Sequence, residues 1–215
     1  MKWSDKITVT NEDNMQLMAR YPDNYFELAI VDPPYGIKRS GQNETFTKNK
    51  KHKRKHFEDK KWDDVIPEKE YFDELFRTSK NQIIWGANYF AKYLPSSMGW
   101  IFWDKGQDLS MSDGELAFTS FNVALRRKII NRGQLMIEGT QHPTQKPIAL
   151  YKWLLDKYAK QGDKILDTHL GSGSIAIACH DYGFELTACE LDAEYYEAAK
   201  KRFLYHSAQQ KLFMP

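Results

Sequence analysis

Several common signals are missing from this chain of 215 residues. It has only two cysteines, Cys179 and Cys189, without the spacing of a metal site, which indicates a reducing compartment and no disulfide framework. No run approaches the roughly 18 apolar residues of a membrane span. The first residues, MKWSDKITVTNED, lack the apolar stretch of a signal peptide. We therefore expect no membrane contact and a cytoplasmic location.

A strong charge excess is also absent, because the net charge is only +2, and so the whole-molecule charge says little about partners. The local distribution says more. The segment from Ile37 to His56 carries a single acid, Glu44, against eight basic residues: Lys38, Arg39, Lys48, Lys50, Lys51, Lys53, Arg54 and Lys55. Such a segment can hold a polyanion, and a solvated loop without a partner is the alternative.

Apolar runs alternate with amphipathic stretches along the chain. Hydrophobic residues make up 41% of the sequence, which fits a single domain over residues 1–215. Seven runs are predicted as strands: Ile7–Val9, Leu28–Val31, Gln82–Trp85, Trp100–Trp103, Leu116–Phe118, Lys164–Leu166 and Leu186–Cys189. Four stretches are predicted as helices: Lys69–Ser79, Ile148–Tyr158, Ser174–Tyr182 and Ala193–Tyr205. This alternation predicts a single doubly wound α/β domain with a mostly parallel, seven-stranded sheet.

Two segments interrupt the alternation. Ile37–Trp62 (37–62) is polar, basic and without periodicity, so we expect a long, mobile loop; loops of this length are functional or disordered. Asn122–Gln141 (122–141) is expected to be a shorter connection, and its basic residues are Arg126, Arg127, Lys128 and Arg132.

The first candidate site is the sequence Asp32-Pro33-Pro34-Tyr35-Gly36, directly after a predicted strand. Ligands of open α/β sheets bind outside the carboxyl ends of the strands. Asp32 offers an acceptor for an amine hydrogen, the prolines stiffen the turn and remove backbone donors, and the Pro33 carbonyl can be a second acceptor. Tyr35 offers a flat ring for stacking. The combination suits an amino group on an aromatic ring, and a rigid turn with a surface aspartate is the alternative.

The second candidate site is Asp167-Thr168-His169-Leu170-Gly171-Ser172-Gly173-Ser174, between a predicted strand and a predicted helix. Glycines let the backbone approach a ligand, and the helix start supplies free N–H groups. The spacing is neither that of a dinucleotide fingerprint nor that of a P-loop. Glu190, 19 residues after Gly171, stands where a ribose-binding acid is expected. A generic glycine-rich turn is the alternative.

The third candidate site is His142-Pro143-Thr144-Gln145-Lys146-Pro147, ahead of a predicted helix. His142 has no cysteine or carboxylate at ligand spacing, so we expect no metal. A turn in which Thr144 or Gln145 caps the helix is the alternative.

These three segments, in this order, resemble the β-type amino-group DNA methyltransferases, in which the catalytic tetrad precedes the cofactor motif in a circularly permuted order. The resemblance covers essentially the whole chain and is closest to small, phage-type members. Asp13, 19 positions before Asp32, matches an acid that contacts the cofactor's adenine. Other family-like segments are Lys61–Asp63, Trp85–Phe90, Trp103–Lys105 and Glu115–Phe118. One departure is His169, because the family commonly has phenylalanine there.

The resemblance implies a Rossmann-like fold and in-line methyl transfer from S-adenosyl-L-methionine to N6 of adenine in double-stranded DNA, with base flipping and S-adenosyl-L-homocysteine as the product. It makes Asp32, Pro33, Pro34 and Tyr35 catalytic. The implied cofactor-binding residues are Asp13, His142, Thr144, Gln145, Lys146, Asp167, Thr168, His169, Gly171, Ser172, Gly173, Ser174 and Glu190. The basic residues of 38–55 and Arg126, Arg127, Lys128 and Arg132 are predicted to contact DNA, with 122–141 as the target-recognition segment. A homodimer and a cognate restriction endonuclease are further expectations.

Other substrates give alternative interpretations. Cytosine-N4 enzymes of the family more often have serine in place of Asp32. RNA and protein-glutamine methyltransferases favour Asn-Pro-Pro-Tyr and place the glycine motif first. Cytosine-C5 transfer needs a cysteine nucleophile, but Cys179 lies in a predicted helix and Cys189 in a predicted strand. A DNA-binding protein without catalysis is the remaining alternative.

Overall fold

The computed structural model describes residues 1–41, 58–106, 112–131 and 144–211. The strands in these ranges are β1 (Ile7–Asn11), β2 (Phe26–Val31), β3 (Ser79–Trp85), β4 (Trp100–Asp104), β5 (Gly114–Thr119), β6 (Arg126–Ile129), β7 (Lys164–Asp167) and β8 (Glu185–Glu190). The helices are α1 (Asn14–Met18), α2 (Lys69–Thr78), α3 (Ile148–Tyr158), α4 (Ser174–Tyr182) and α5 (Ala193–Lys211). No helix within these ranges is long and apolar enough to cross a membrane.

The strands form one mixed sheet in the order β1-β8-β7-β2-β3-β5-β4-β6. Strands β1, β8, β7, β2 and β3 are parallel to one another. Strand β5 is antiparallel to both β3 and β4, and β6 is parallel to β4. The α/β class and a mostly parallel sheet are therefore confirmed.

The expected number of seven strands is wrong, because β6 forms inside the segment that we expected to be a connection. Three of its four residues are basic, so no apolar run marks it as a strand. It lies at the end of the sheet, where charged side chains are common because they discourage pairing with other chains.

Helices cover both faces of the sheet, and this explains the continuous apolar strands. Leu28 and Ile30 of β2 pack in the core that contains α3, α4 and α5, whereas Ala29 and Val31 pack in the core that contains α1 and α2. A strand buried on both faces needs apolar residues at every position.

Strands β2 and β7 are neighbours at the centre of the sheet. After β2 the chain passes through α2 to β3, and after β7 it passes through α4 to β8 on the opposite side of the pair. The point where the strand order diverges in this way opens a crevice at the carboxyl ends, where α/β proteins bind ligands. Asp32 follows β2 and Asp167 ends β7, so the first two candidate sites meet there.

Candidate active site

A cavity of about 690 Å³ lies at these carboxyl ends, a size typical of small-molecule sites. Its walls bring together parts of all three candidate sites that the sequence separates. The predicted site residues that line it are Asp13, Asp32, Pro34, Thr144, Gln145, Lys146, Thr168, His169, Gly171, Ser172 and Glu190. Thr144 and Gln145 do not cap α3, because the helix begins at Ile148 and Pro147 precedes it.

Glu190 is fixed at the edge of the cavity by backbone donors. Its Oε2 accepts a hydrogen bond from the Gly171 N–H at 2.8 Å, and its Oε1 accepts one from the Asp192 N–H at 2.9 Å. Burial raises the pKa of the Glu190 carboxyl. A carboxylate has about four acceptor positions, so Glu190 can still accept hydrogen bonds from the hydroxyl groups of a ligand.

The glycine turn packs against α5. Gly173 has φ of +75°, and a Cβ there would lie 3.2 Å from the Cβ of Ala199. Arg202 donates from Nη1 to the carbonyl of Ser172 and to the hydroxyl of Ser174, both at 2.9 Å. Ser174 is buried and does not line the cavity. Gly173 and Ser174 therefore shape the turn, and their contact with the cofactor stays a prediction.

Asp13 lies on the same side of the cavity as Glu190, because β1 pairs with β8 through Asn11 and Glu190. Its Oδ1 accepts from the N–H groups of Met15 at 2.8 Å and Gln16 at 3.3 Å, which caps α1. The carboxylate is thereby held in one orientation at the cavity wall.

His169 forms part of the wall as a neutral ring. Its Nε2 is 3.1 Å from Asn14 Nδ2, its Nδ1 is 2.9 Å from Thr168 Oγ1, and the ring meets Tyr71 edge-on at 5.3 Å. Burial lowers the pKa of His169 to about 3, so it is uncharged at neutral pH. Asp167, behind the wall, accepts from the His169 N–H at 3.0 Å, and burial raises its pKa to about 8.

Asp32, Tyr35 and the buried Lys146 form a partly buried polar group at the other end of the cavity. The Tyr35 hydroxyl donates to Asp32 Oδ1 at 2.6 Å, and Lys146 Nζ lies 2.5 Å from Asp32 Oδ2. Lys146 also donates to the Tyr35 hydroxyl at 3.1 Å. We predict Lys146 at the cofactor, and the structure places its ammonium against Asp32 and Tyr35 of the predicted tetrad.

Glu115 and Lys105 extend this group, and neither is among the predicted site residues. Glu115 Oε2 is 3.1 Å from Lys146 Nζ and 3.3 Å from the Tyr35 hydroxyl, and Oε1 is 2.8 Å from Lys105 Nζ. The signal that locates Glu115 is the antiparallel register of β4 and β5, which pairs it with Trp103.

The charges in this group shift one another's pKa values. Burial raises the pKa of Asp32, and Glu115 adds to this while Lys146 opposes it. Burial also raises the pKa of Glu115, but Lys146 and Lys105 outweigh it and lower the value to about 2. Burial lowers the pKa of Lys146, but the two carboxylates more than offset this and raise it. Lys146 therefore stays charged between Asp32 and Glu115.

The ring of Tyr35 fits closely against β3 and the turn after it. It stacks on Tyr89 with ring centres 5.2 Å apart and an interplanar angle of 15°. Gly86, with φ of +66°, leaves the space that the ring occupies, since a Cβ there would lie 2.0 Å from Tyr35 Cε1. The backbone N–H groups of Tyr35, Gly36 and Arg39 donate to Asp63, which is not among the predicted site residues.

The predicted DNA-contact residues do not form one patch. Lys38 and Arg39 are exposed beside Tyr35. Neighbouring residues of β6 point to opposite faces of the sheet. Arg127 Nη2 lies 2.5 Å from Asp104 Oδ2 on one face, whereas Lys128 Nζ lies 5.8 Å from the ring centre of Trp153 on the other. The other predicted positions outside the described residues are Lys48, Lys50, Lys51, Lys53, Arg54, Lys55 and Arg132, together with His142 of the third candidate site.

No group of three or more His, Cys, Asp or Glu residues in the described part of the chain is placed to hold a metal ion. The expectation that the reaction uses no metal stays a prediction.

Comparison with known proteins extends these observations. Residues 102–201 match the family model of the N6- and N4-type DNA methylases. The type II methyltransferase M2.DpnII of Streptococcus pneumoniae is 22% identical over 92% of this chain and 90% of its own length. The type II methyltransferase M.HpaI of Haemophilus parainfluenzae is 38% identical over 61 residues, and the match spans only 19% of its length.

The fold is also similar to a solved structure, that of the M1.HpyAVI–SAM complex. The TM-score is 0.60 at 18% identity, and the alignment covers 91% of this chain and 99% of that one. The family match spans β4 to α5 and includes the glycine turn. The predicted tetrad at 32–35 lies outside this match, and of its four residues Asp32 and Pro34 line the cavity. Together the motifs, the fold and the matches support an amino-group DNA methyltransferase that uses S-adenosylmethionine as methyl donor.

Proposed function

We propose that this protein transfers a methyl group from S-adenosylmethionine to an exocyclic amine in double-stranded DNA, with N6 of adenine as the target. The observation that carries the proposal is that Asp32 and Glu190 line one cavity at the carboxyl ends of the parallel strands β2 and β8. A donor bound along the glycine turn and a base bound at Asp32 would then meet inside this cavity.

The cofactor end of the cavity fits a nucleoside. Glu190 has free acceptor positions for ribose hydroxyls, Asp13 presents a fixed carboxylate, and His169 presents a neutral ring edge. When bound, S-adenosylmethionine supplies an electrophilic methyl group on a positively charged sulfonium. We assign this end to it, with Thr144 and Gln145 on the adjoining wall.

At the catalytic end, Asp32 binds the target amine. One oxygen of Asp32 accepts from Tyr35 and the other pairs with Lys146, which leaves further acceptor positions directed to the cavity. A hydrogen bond from the amine to Asp32, and a second to the Pro33 carbonyl, orient the nitrogen lone pair toward the methyl group. Orientation of this kind contributes several kcal/mol to rate enhancement, about 7–11 at most.

The aromatic pair of Tyr35 and Tyr89 is the surface that we propose for the base itself. Chemistry on a base in a duplex requires that the base leave the helix and stack in a pocket. Tyr89 is 43% exposed, so the pair continues from the partly buried Asp32 group to the protein surface. A base arriving from outside therefore meets aromatic rings before its amine reaches Asp32.

Exposed basic side chains provide the proposed contact with DNA phosphates. Lys38 and Arg39 lie beside the tetrad, and Arg126 lies on β6, four strands from β2 and thus about 19 Å away at the usual strand spacing. That distance corresponds to about five to six base pairs. Phosphate contacts of this type position the enzyme and make its affinity fall with salt. The homodimer, the cognate endonuclease and the permuted motif order stay predictions.

The proposal is tested by incubating the purified protein with S-adenosylmethionine labelled in the methyl group and, in separate reactions, duplex DNA, RNA and protein. We expect label in duplex DNA alone. Label in RNA or protein, with none in DNA, would overturn the substrate class. Label in DNA as N4-methylcytosine would keep the reaction and overturn the choice of adenine.

A further inference from the structure

The carboxylate of Asp63 accepts hydrogen bonds from the backbone that follows the two prolines. Its Oδ1 accepts from the N–H groups of Tyr35 at 2.6 Å and Gly36 at 3.0 Å, and its Oδ2 accepts from the Arg39 N–H at 2.8 Å. The carbonyl of Asp63 accepts from the Lys38 N–H at 2.9 Å. Asp63 is 2% exposed, so water competes little for these bonds.

This stretch cannot hold itself by regular backbone pairing. Pro33 and Pro34 have no N–H to donate, and the turn after them places Gly36 at φ of +70° and Lys38 at φ of +58°. Successive N–H groups in such a turn point into one concavity that suits an anion. Asp63 supplies that anion, and without it the three backbone N–H groups of Tyr35, Gly36 and Arg39 would lose their partner.

Asp63 is itself attached to a fixed part of the molecule. Three residues before it, Lys60 Nζ lies 2.8 Å from Asp192 and 2.6 Å from Glu194, and over the ring of Tyr195 at 4.6 Å. The segment 60–63 is thereby anchored beside the end of β8 while its carboxylate holds the backbone of Tyr35.

The contacts of Tyr35 leave its side chain little room to move. The hydroxyl is 2.6 Å from Asp32, and the ring fills the space that Gly86 leaves open. We infer that Asp63 is a positioning residue for methyl transfer, which sets the backbone of Tyr35 so that the hydroxyl meets Asp32 and the ring faces the base. The inference rests on the proposed function, because it assigns Asp63 a part in the same reaction.

The first test compares Asp63→Asn with the matched control Asp64→Asn, whose side chain is exposed. An asparagine presents an amide nitrogen to one of the N–H donors, so the turn must shift. We expect kcat for methyl transfer to fall about 10–100-fold in Asp63→Asn, as small misplacements do, with the Kd for S-adenosylmethionine and the control unchanged. Wild-type transfer in the same assay reports on the proposed function separately. An unchanged kcat in folded Asp63→Asn would overturn the inference.

A double-mutant cycle separates positioning from a general loss of stability. If Asp63 acts through Tyr35, adding Asp63→Asn to Tyr35→Ala changes kcat by less than about threefold, whereas independent effects would multiply. Multiplied effects would overturn the inference.

A second variant serves if Asp63→Asn does not fold. Gly36→Ala strains the same turn, because Gly36 has φ of +70° and an added Cβ would lie 3.2 Å from Ile66. There too we expect a lower kcat with unchanged Kd, and an unchanged kcat would contradict the inference.

Discussion

The two ends of the cavity differ in where their hydrogen bonds come from. At the cofactor end, Glu190 is held by backbone N–H groups that lie 2 and 19 positions away in the chain. At the catalytic end, the Tyr35 hydroxyl contacts side chains 80 and 111 positions away, those of Glu115 and Lys146. Glu190 is thus fixed by backbone donors, whereas the catalytic end is a set of charged side chains that depend on one another. We expect substitutions at the first to change affinity, and substitutions at the second to change both rate and stability.

The largest effect is expected for Asp32→Ala. Because it removes the proposed amine acceptor, the rate of methyl transfer should fall about 10²–10³-fold, as for loss of one transition-state hydrogen bond. The free energy of unfolding should also fall, by less than the about 3–5 kcal/mol of a fully unpaired buried charge, because Lys146 keeps Glu115 as a partner. Single-turnover rates and urea unfolding measure the two quantities.

The matched variant Asp32→Asn keeps the shape and one acceptor, so its losses should be smaller. The Kd for S-adenosylmethionine should stay within about threefold in both variants, since neither removes a contact proposed for the cofactor. A Kd that rises as far as the rate falls would show that the two ends are not separate.

Glu190→Ala tests the comparison from the cofactor end. A hydrogen bond to a charged group contributes about 1.5–3 kcal/mol, so the Kd for S-adenosylmethionine should rise about 10–100-fold. The kcat at saturating cofactor should change little. Isothermal titration with Glu197→Ala, an exposed acid on α5, as control measures this. A loss of kcat without a change in Kd would contradict the assignment of Glu190 to the cofactor end.

Gly86→Ala tests how closely the Tyr35 ring is packed. The added Cβ would collide with the ring at 2.0 Å, so the free energy of unfolding should fall by about 1–3 kcal/mol, as in overpacked cores. Gly162→Ala is the control, because Gly162 also has a positive φ, +95°, but has no atom within 4 Å of a Cβ. Equal losses in the two variants would attribute the whole effect to backbone strain and none to Tyr35.

The smallest effect is a pH dependence of stability at Glu115. Its pKa is lowered in the fold from the ordinary value of 4.5 to about 2, so its contribution to stability is present above about pH 4.5 and is lost as the pH falls toward 2. Wild type should therefore be more stable than Glu115→Gln at pH 6, and the difference should shrink as the pH falls to about 3.5. Urea unfolding at several pH values measures it. A difference that grows on acidification would show that the ion pairs with Lys146 and Lys105 do not stabilise the fold.

The same contrast explains how much the sequence could predict. The glycine turn, Glu190 and Asp32 are marked by short patterns at strand ends, and a strand order that brings β2 next to β7 places them in one cavity. Glu115 and Asp63 lie in family-like segments, but their contacts with Tyr35 were not predictable, because these depend on an antiparallel register and on a hydrogen bond across 28 positions. Lys146 was found by its motif, but its contact with Asp32 depends on tertiary packing.

The strands of the sheet also differ in how far the sequence predicts them. Buried strands were predictable because burial on two faces demands apolar residues at every position. Strand β6 could not be predicted in this way, because a charged edge strand needs no such pattern. Its basic side chains point to the two faces of the sheet in alternation, Arg127 toward Asp104 and Lys128 toward Trp153.

The most direct test of the central claim is the chemical identity of the product. Duplex DNA treated with the wild-type protein and S-adenosylmethionine would be digested to nucleosides and analysed by mass spectrometry, with Asp32→Ala as the blank. We predict N6-methyladenine with the wild type and a signal at least about 10²-fold lower with Asp32→Ala. Methylation at a ring carbon such as C5 of cytosine, or equal N6-methyladenine from both proteins, would contradict the assignment of amine chemistry to Asp32.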